Sequence, residues 1–291
     1  MRIPILSLLA LTLVAGCGGG KKNSAPRTVF GGDRPTTLQI PAAYDGTTAM
    51  PLLMIVHGYS VNGAIQEAYL QAASLIDTKN VFILAPDGTT DQAGKRFWNA
   101  TDACCNLYGS NIDDVAYLKG LLADVQHDYK IDPKRIFLWG HSNGAFMSQR
   151  MACEDSEEIA AIVSLAGAQW EDATKCQPTA KVSVLDIHGD ADGTISYTGG
   201  SILSHAYPSE AVTMSRWQTM DACTTGLTDD PTMIDLDSTL PGAETTVARL
   251  GGCPGGIGAE LWTMHGADHT PSWNPGIADT VWTWLAAHPK P

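Results

Sequence analysis

Short apolar runs recur at residues 37–40, 52–56, 81–85, 136–139, 160–165, 182–187 and 260–264, separated by longer stretches whose apolar residues fall at helical spacing. Such alternation marks repeated strand–helix–strand units, so the chain is predicted to be an α/β protein with a mostly parallel central sheet and helices on both faces. Several of the runs are apolar at every position, as strands covered on both sides must be. The clearest helix starts at Asp113 or Asp114 and ends at Tyr129, with Val115, Leu118, Leu121, Leu122 and Val125 on one face and an acidic start that suits the helix dipole. Further helices are predicted over 64–76, 143–152, 209–220 and 277–288. A small hairpin extension is predicted from 232–237 and 244–250, between Cys223 and Cys253.

The beginning of the chain reads as a targeting segment. Residues 5–14 are almost unbroken in apolarity, follow a single Arg, and are too short to span a bilayer. Val14-Ala15-Gly16-Cys17 is similar to a bacterial lipobox, in which cleavage before the Cys leaves that Cys to carry a lipid. Residues 1–16 are therefore expected to be a lipoprotein signal peptide and Cys17 the lipidated residue. Residues 17–34, with the polar Gly-rich run at 18–24, are expected to be a flexible tether, and residues 35–291 one domain. The protein is expected outside the cytoplasm, lipid-anchored to the bacterial envelope, and monomeric.

Charge and cysteine usage narrow the partners. With 18 basic and 31 acidic residues the net charge is −13, which repels phosphate backbones and anionic headgroups. Nucleic acid is not an expected partner, and membrane contact is expected only through the lipid on Cys17. Seven Cys less Cys17 leave six, enough for three disulfides in an oxidising compartment. Cys104-Cys105 has no second Cys/His pair at zinc-finger spacing, so no metal is expected.

The chemistry centres on Gly140-His141-Ser142-Asn143-Gly144, which follows one apolar run and opens a helical stretch. This is the strand–turn–helix setting of a nucleophile elbow, where flanking glycines allow a turn tight enough to lift a hydroxyl clear of the sheet. Ser142 is the candidate nucleophile. A serine hydroxyl needs a base, and the base needs a carboxylate to fix its tautomer. In α/β-hydrolases the acid and the His follow the Ser in that order. Two strand ends offer them: His188-Gly189-Asp190-Ala191-Asp192, and His265-Gly266-Ala267-Asp268-His269. Asp190 competes with Asp192, and His265 with His269. The second member of each pair lies farther out on its loop, where it can reach the elbow, so Asp192 and His269 are preferred. The backbone amides of Tyr59, after the run at 52–56, and of Asn143 are the candidate oxyanion donors, and only their backbones are expected to matter. His57 is expected to brace its loop.

Taken together, His57-Gly58, Trp98-Asn99-Ala100, Cys104-Cys105, Asp113-Asp114-Val115, residues 131–136, Ser142-Asn143-Gly144, residues 160–167, His188-Gly189 with Asp192 and Tyr197, and Cys223/Cys253 before His269-Thr270 resemble one family. It is the polyhydroxybutyrate depolymerase and feruloyl esterase-like group of secreted carboxylesterases, carbohydrate esterase family 1 in the broad sense. The resemblance spans roughly residues 35–285. It implies an α/β-hydrolase fold, a Ser142-Asp192-His269 triad, no cofactor, and a Cys223–Cys253 disulfide close to the His. The pairing of Cys104, Cys105, Cys153 and Cys176 stays open, with Cys153–Cys176 a local option. Two departures from the family pattern, Ala145 after Ser-Asn-Gly and Pro271-Ser272-Trp273 after His-Thr, leave the pocket's shape unspecified. Trp98, Tyr59 and Trp273 are candidates for an aromatic wall. The resemblance implies hydrolysis of feruloyl or acetyl esters of plant polysaccharide. The alternatives are a polyester depolymerase and a surface lipoprotein that only binds.

Overall fold

The computed structural model describes residues 26–291; the expected signal peptide, Cys17 and most of the expected tether lie outside these residues. Eight strands form the central sheet: β1 Met50–Val56, β2 Phe82–Leu84, β3 Ile131–His141, β4 Ala161–Leu165, β5 Ser183–Gly189, β6 Thr225–Asp229, β7 Thr245–Gly251 and β8 Ala259–Met264. Their order across the sheet is β6-β7-β8-β5-β4-β3-β1-β2. The six from β8 to β2 run parallel, while β7 and β6 extend the β8 edge antiparallel.

Alternation along the strands splits the core in two, because successive side chains leave opposite faces of the sheet. Leu52, Met54, Ile136, Leu138, Ile162 and Val184 meet helices α3 (Asp114–Asp128), α4 (Asn143–Glu154) and α5 (Glu210–Met220), whose Leu118, Phe146 and Trp217 are buried there. Leu53, Ile55, Phe137, Val163 and Leu185 face the other way, toward α6 (Ile277–Ala287) and the short helices α1 (Gly63–Tyr69) and α2 (Leu75–Lys79). Helices thus cover both faces. Asp113 caps α3 by accepting from the Ala116 amide, and Ser209 caps α5 through the Val212 amide.

Four expectations need correction. The helix over 64–76 breaks after Tyr69, because Gln71 takes a left-handed conformation, φ 57°, before the chain re-enters helix at Leu75. The strand over 37–40 shrinks to Thr36–Thr37, paired with Val29–Phe30, plus one bridge from Gln39 to Ile83. The hairpin over 232–237 and 244–250 does not stand apart: 245–251 is β7 of the central sheet, and 232–237 contributes only isolated bridges, Ile234 to Thr245 and Asp237 to Trp273. Finally, the last residues assigned to the tether pack on the domain. Phe30 is buried, and Arg34 binds Asp114 at 2.6 Å over the ring of Tyr117.

Disulfides join Cys104–Cys105, Cys153–Cys176 and Cys223–Cys253. The last lies where β6 begins and β7 ends, beside the start of β8. It therefore sits by the amino end of β8, whereas His269 follows the carboxyl end of that strand, so the expected closeness to the His is not found. Among the described residues no helix is long and apolar enough to cross a membrane.

Candidate active site

Ser142 occupies the turn between β3 and α4 at φ 55° and ψ −123°, a conformation that an L-residue holds only when its surroundings impose it. Its amide donates to the Leu165 carbonyl at 2.8 Å, tying the turn to the neighbouring strand. Two glycines make the turn possible. A Cβ on Gly140 would collide with the Gly144 carbonyl, and one on Gly144 with the Val56 carbonyl.

His269 and Asp192 reach this turn from the carboxyl ends of β8 and β5, the edge where open parallel sheets gather their sites. The Nε2 of His269 lies 2.9 Å from Ser142 Oγ, and its Nδ1 lies 2.7 Å from Asp192 Oδ2. The other oxygen of Asp192 accepts from the amides of Thr194 at 2.7 Å and Ile195 at 2.8 Å. Burial alone would raise the Asp192 pKa, but hydrogen bonds from His188 and His269 overcome it and hold the carboxyl well below the usual range. The rival pair forms a separate exposed contact: His265 Nδ1 meets Asp190 Oδ2 at 2.8 Å, while its Nε2 faces Thr246 Oγ1. Neither residue reaches Ser142.

The loop carrying His269 is fastened over the turn by residues that sequence reading missed. His141 donates from Nε2 to the His269 carbonyl at 2.9 Å, and Tyr69 donates its hydroxyl to the Pro271 carbonyl at 2.9 Å. Burial, with His269 nearby, pushes the His141 pKa down to about 4, so it serves as a neutral pin. It stands inside the Gly-x-Ser-x-Gly motif, the one signal that could have marked it.

Asn143 begins α4, so its amide has no intrahelical acceptor and sits at the positive end of a twelve-residue helix. Its side chain is far from idle: Oδ1 accepts from the Trp98 amide at 2.7 Å and Nδ2 donates to the Trp98 carbonyl at 3.0 Å. Trp98 is fully buried and donates from its indole to the His57 carbonyl at 3.0 Å. It therefore braces the Tyr59 loop from beneath and does not wall the pocket. His57 braces the same loop, its Nδ1 donating to the Gly58 carbonyl and its Nε2 accepting from the Gly88 amide. Trp273 packs behind Tyr69, ring centroids 5.7 Å apart, away from the cavity lining. The cavity beside Ser142 holds about 260 Å³ and is walled by Tyr59, Val61, Ile65 and Tyr69, so Tyr69 and Ile65 take the place expected of the tryptophans. Among the described residues no group of three or more His, Cys, Asp or Glu is arranged to hold a metal ion.

The sheet order, the turn bearing Ser142 and the placement of these side chains at the carboxyl edge define an α/β-hydrolase fold. Residues 45–222, more than half of the chain, match the phospholipase/carboxylesterase family, and the chain belongs to it. It is 25% identical over 246 residues to feruloyl esterase B of Piromyces equi, covering 81% of this chain and 42% of that protein. With the bifunctional acetylxylan esterase/xylanase XynS20E of Neocallimastix patriciarum it shares 22% over 239 residues, 81% of this chain and 31% of that one. The chain thus spans less than half the length of these two curated relatives. Its fold is similar to that of the acetyl xylan esterase from Aspergillus awamori, with a TM-score of 0.63, 13% identity, and coverage of 87% of this chain and 94% of that one.

Proposed function

We propose that this chain is a serine carboxylesterase that acts outside the cytoplasm through Ser142, His269 and Asp192. The observation that carries the reading is the single imidazole of His269, within hydrogen-bond reach of a strained serine hydroxyl on one side and a carboxylate on the other. Asp192 holds the proton on Nδ1, which leaves the Nε2 lone pair facing the hydroxyl. As Ser142 Oγ attacks the ester carbonyl carbon, Nε2 takes its proton and the carbonyl oxygen becomes an anion. The amides of Tyr59 and Asn143 receive that charge, the latter reinforced by the α4 dipole. Collapse expels the alcohol, which leaves with the proton from His269. Water then repeats the sequence on the acyl-enzyme and frees the acid and the serine.

Feruloyl esters of plant polysaccharide are the proposed substrate, with acetyl esters the second possibility. The apolar walls of Tyr59, Val61, Ile65 and Tyr69 suit an aromatic acyl group, and the names of the relatives point the same way. The three disulfides favour an oxidising compartment, in keeping with export and lipidation at Cys17. The deciding assay compares release of ferulate, acetate and 3-hydroxybutyrate from matched esters by the wild type and Ser142→Ala. A loss of at least about 10³-fold in the variant is expected. Equal rates for the two proteins would leave only the binding-lipoprotein reading.

A further inference from the structure

The line of hydrogen bonds from Ser142 does not stop at Asp192. His188, near the end of β5, is 1% exposed and stands directly behind that carboxylate. Its Nε2 lies 3.1 Å from Asp192 Oδ2 and 2.8 Å from the Ile195 carbonyl, and its Nδ1 lies 2.5 Å from Glu210 Oε1. With both carboxylates ionised every partner of this ring is an acceptor, and an imidazole satisfies acceptors at both nitrogens only when both carry protons. We propose that His188 is an imidazolium at neutral pH, a positioning residue that holds the Asp192 carboxylate ionised and aimed at His269, with Glu210 as its counter-ion. The proposal rests on the serine-esterase reading above.

The surroundings of His188 support the charge. Asp192 faces it from the loop after β5, Glu210 from the first turn of α5, Tyr197 with its ring 5.7 Å away, and Asp186 from the same strand; His141 and His269 lie across the site. Among the described residues no Lys or Arg forms an ion pair with Asp192 or Glu210, so the cation nearest to both is His188 itself. Burial would lower its pKa, yet the Glu210 charge and the hydrogen bonds to Asp192 and Glu210 raise it to about 10. Burial and the Glu210 charge push the Asp186 carboxyl well above the ordinary carboxylate range. The buried set then reads negative, positive, negative from Asp192 to Glu210. A carboxylate with two backbone amides on one oxygen and two imidazoles on the other has no freedom to turn away from His269.

Two readouts test this, one independent of activity. Ring ¹⁵N spectra of histidine-labelled wild type at about pH 8, well above the ordinary histidine range, should show one doubly protonated imidazole. That signal should be missing from His188→Gln/Glu210→Gln, which removes cation and counter-ion together and keeps polar groups in both places. With p-nitrophenyl acetate the folded double variant should lose about ten- to a hundredfold in kcat at little change in KM. The acidic limb of its kcat/KM profile should move to higher pH, since a cation near His269 is gone. If the double variant does not fold, Glu210→Gln takes its place: its His188 ring should lose the second proton at lower pH, and kcat should fall along the same titration. A wild-type spectrum without a doubly protonated ring, or unchanged kcat and pH profile in a folded variant, would overturn the proposal. Full activity in Ser142→Ala would instead remove the underlying esterase reading while leaving the spectrum as it is.

Discussion

Asp192→Asn is the substitution whose outcome the geometry constrains most tightly. All four hydrogen bonds to this side chain come from donors: the Thr194 and Ile195 amides on Oδ1, and His188 and His269 on Oδ2. A carboxamide has the same shape but only one accepting oxygen. If that oxygen stays with the two amides, the NH₂ group meets His269 Nδ1, which must then give up its proton and accept. The proton moves to Nε2, and the ring presents N–H to Ser142 where a lone pair is needed. Turning the amide over restores the histidine contacts but sets NH₂ against the Thr194 and Ile195 amides, of which the second is buried, at roughly 1–3 kcal/mol for a buried group left unpaired. Loss of the base should lower kcat about 10⁴-fold, equivalent to about 5 kcal/mol of transition-state stabilisation. KM should change little, because Asp192 lies outside the cavity lining. Steady-state kinetics on p-nitrophenyl acetate, with a circular dichroism melt to verify folding, would measure it. A folded Asn variant within tenfold of the wild-type kcat would refute the tautomer argument.

Trp98→Phe deletes the indole donor to the His57 carbonyl and should destabilise the fold by roughly 1–2 kcal/mol in urea titrations, with lower kcat at constant KM; a rise in KM alone would return Trp98 to the pocket wall. Ile65→Ala trims the exposed lip of the cavity and should raise KM for a feruloyl ester by several-fold while sparing an acetyl ester, as a matched substrate pair would reveal. His188 and Asp192 shape stability at opposite ends of the pH scale. The folded pKa of His188 is raised to about 10, so its contribution is complete below the ordinary histidine value of about 6.5 and is lost as pH climbs toward about 10. Asp192 is depressed, so its contribution is present above the ordinary value of about 4 and is lost as pH falls below it. Thermal melts across that range should decline at both ends, and His188→Gln/Glu210→Gln should flatten the alkaline decline.

Local order carried most of what the amino-acid sequence determined by itself. Short apolar runs marked β1, β3, β4 and β5 as strands, several of them covered on both faces, helical spacing with an acidic cap marked α3, and the glycines around Ser142 announced a turn between strand and helix. Each depends on neighbours within a few residues, so it is legible without knowing the fold. The pairing of Asp192 with His269 was within reach too, since both fall just past strand ends in the expected chain order.

Only the tertiary structure decided the rest. β6 is exposed along its whole length and carries no apolar signal; it is a strand because β7 offers it an edge. Trp98 differs in no local feature from a pocket tryptophan, and its place beneath the Tyr59 loop follows from Asn143, 45 residues away. His141 as a pin, and His188 between two carboxylates, likewise depend on chain segments brought together by the sheet. The physical reason is common to all four. A strand's partner, a buried indole's acceptor and a buried histidine's charge are set by atoms distant in sequence, whose approach depends on the whole sheet having formed.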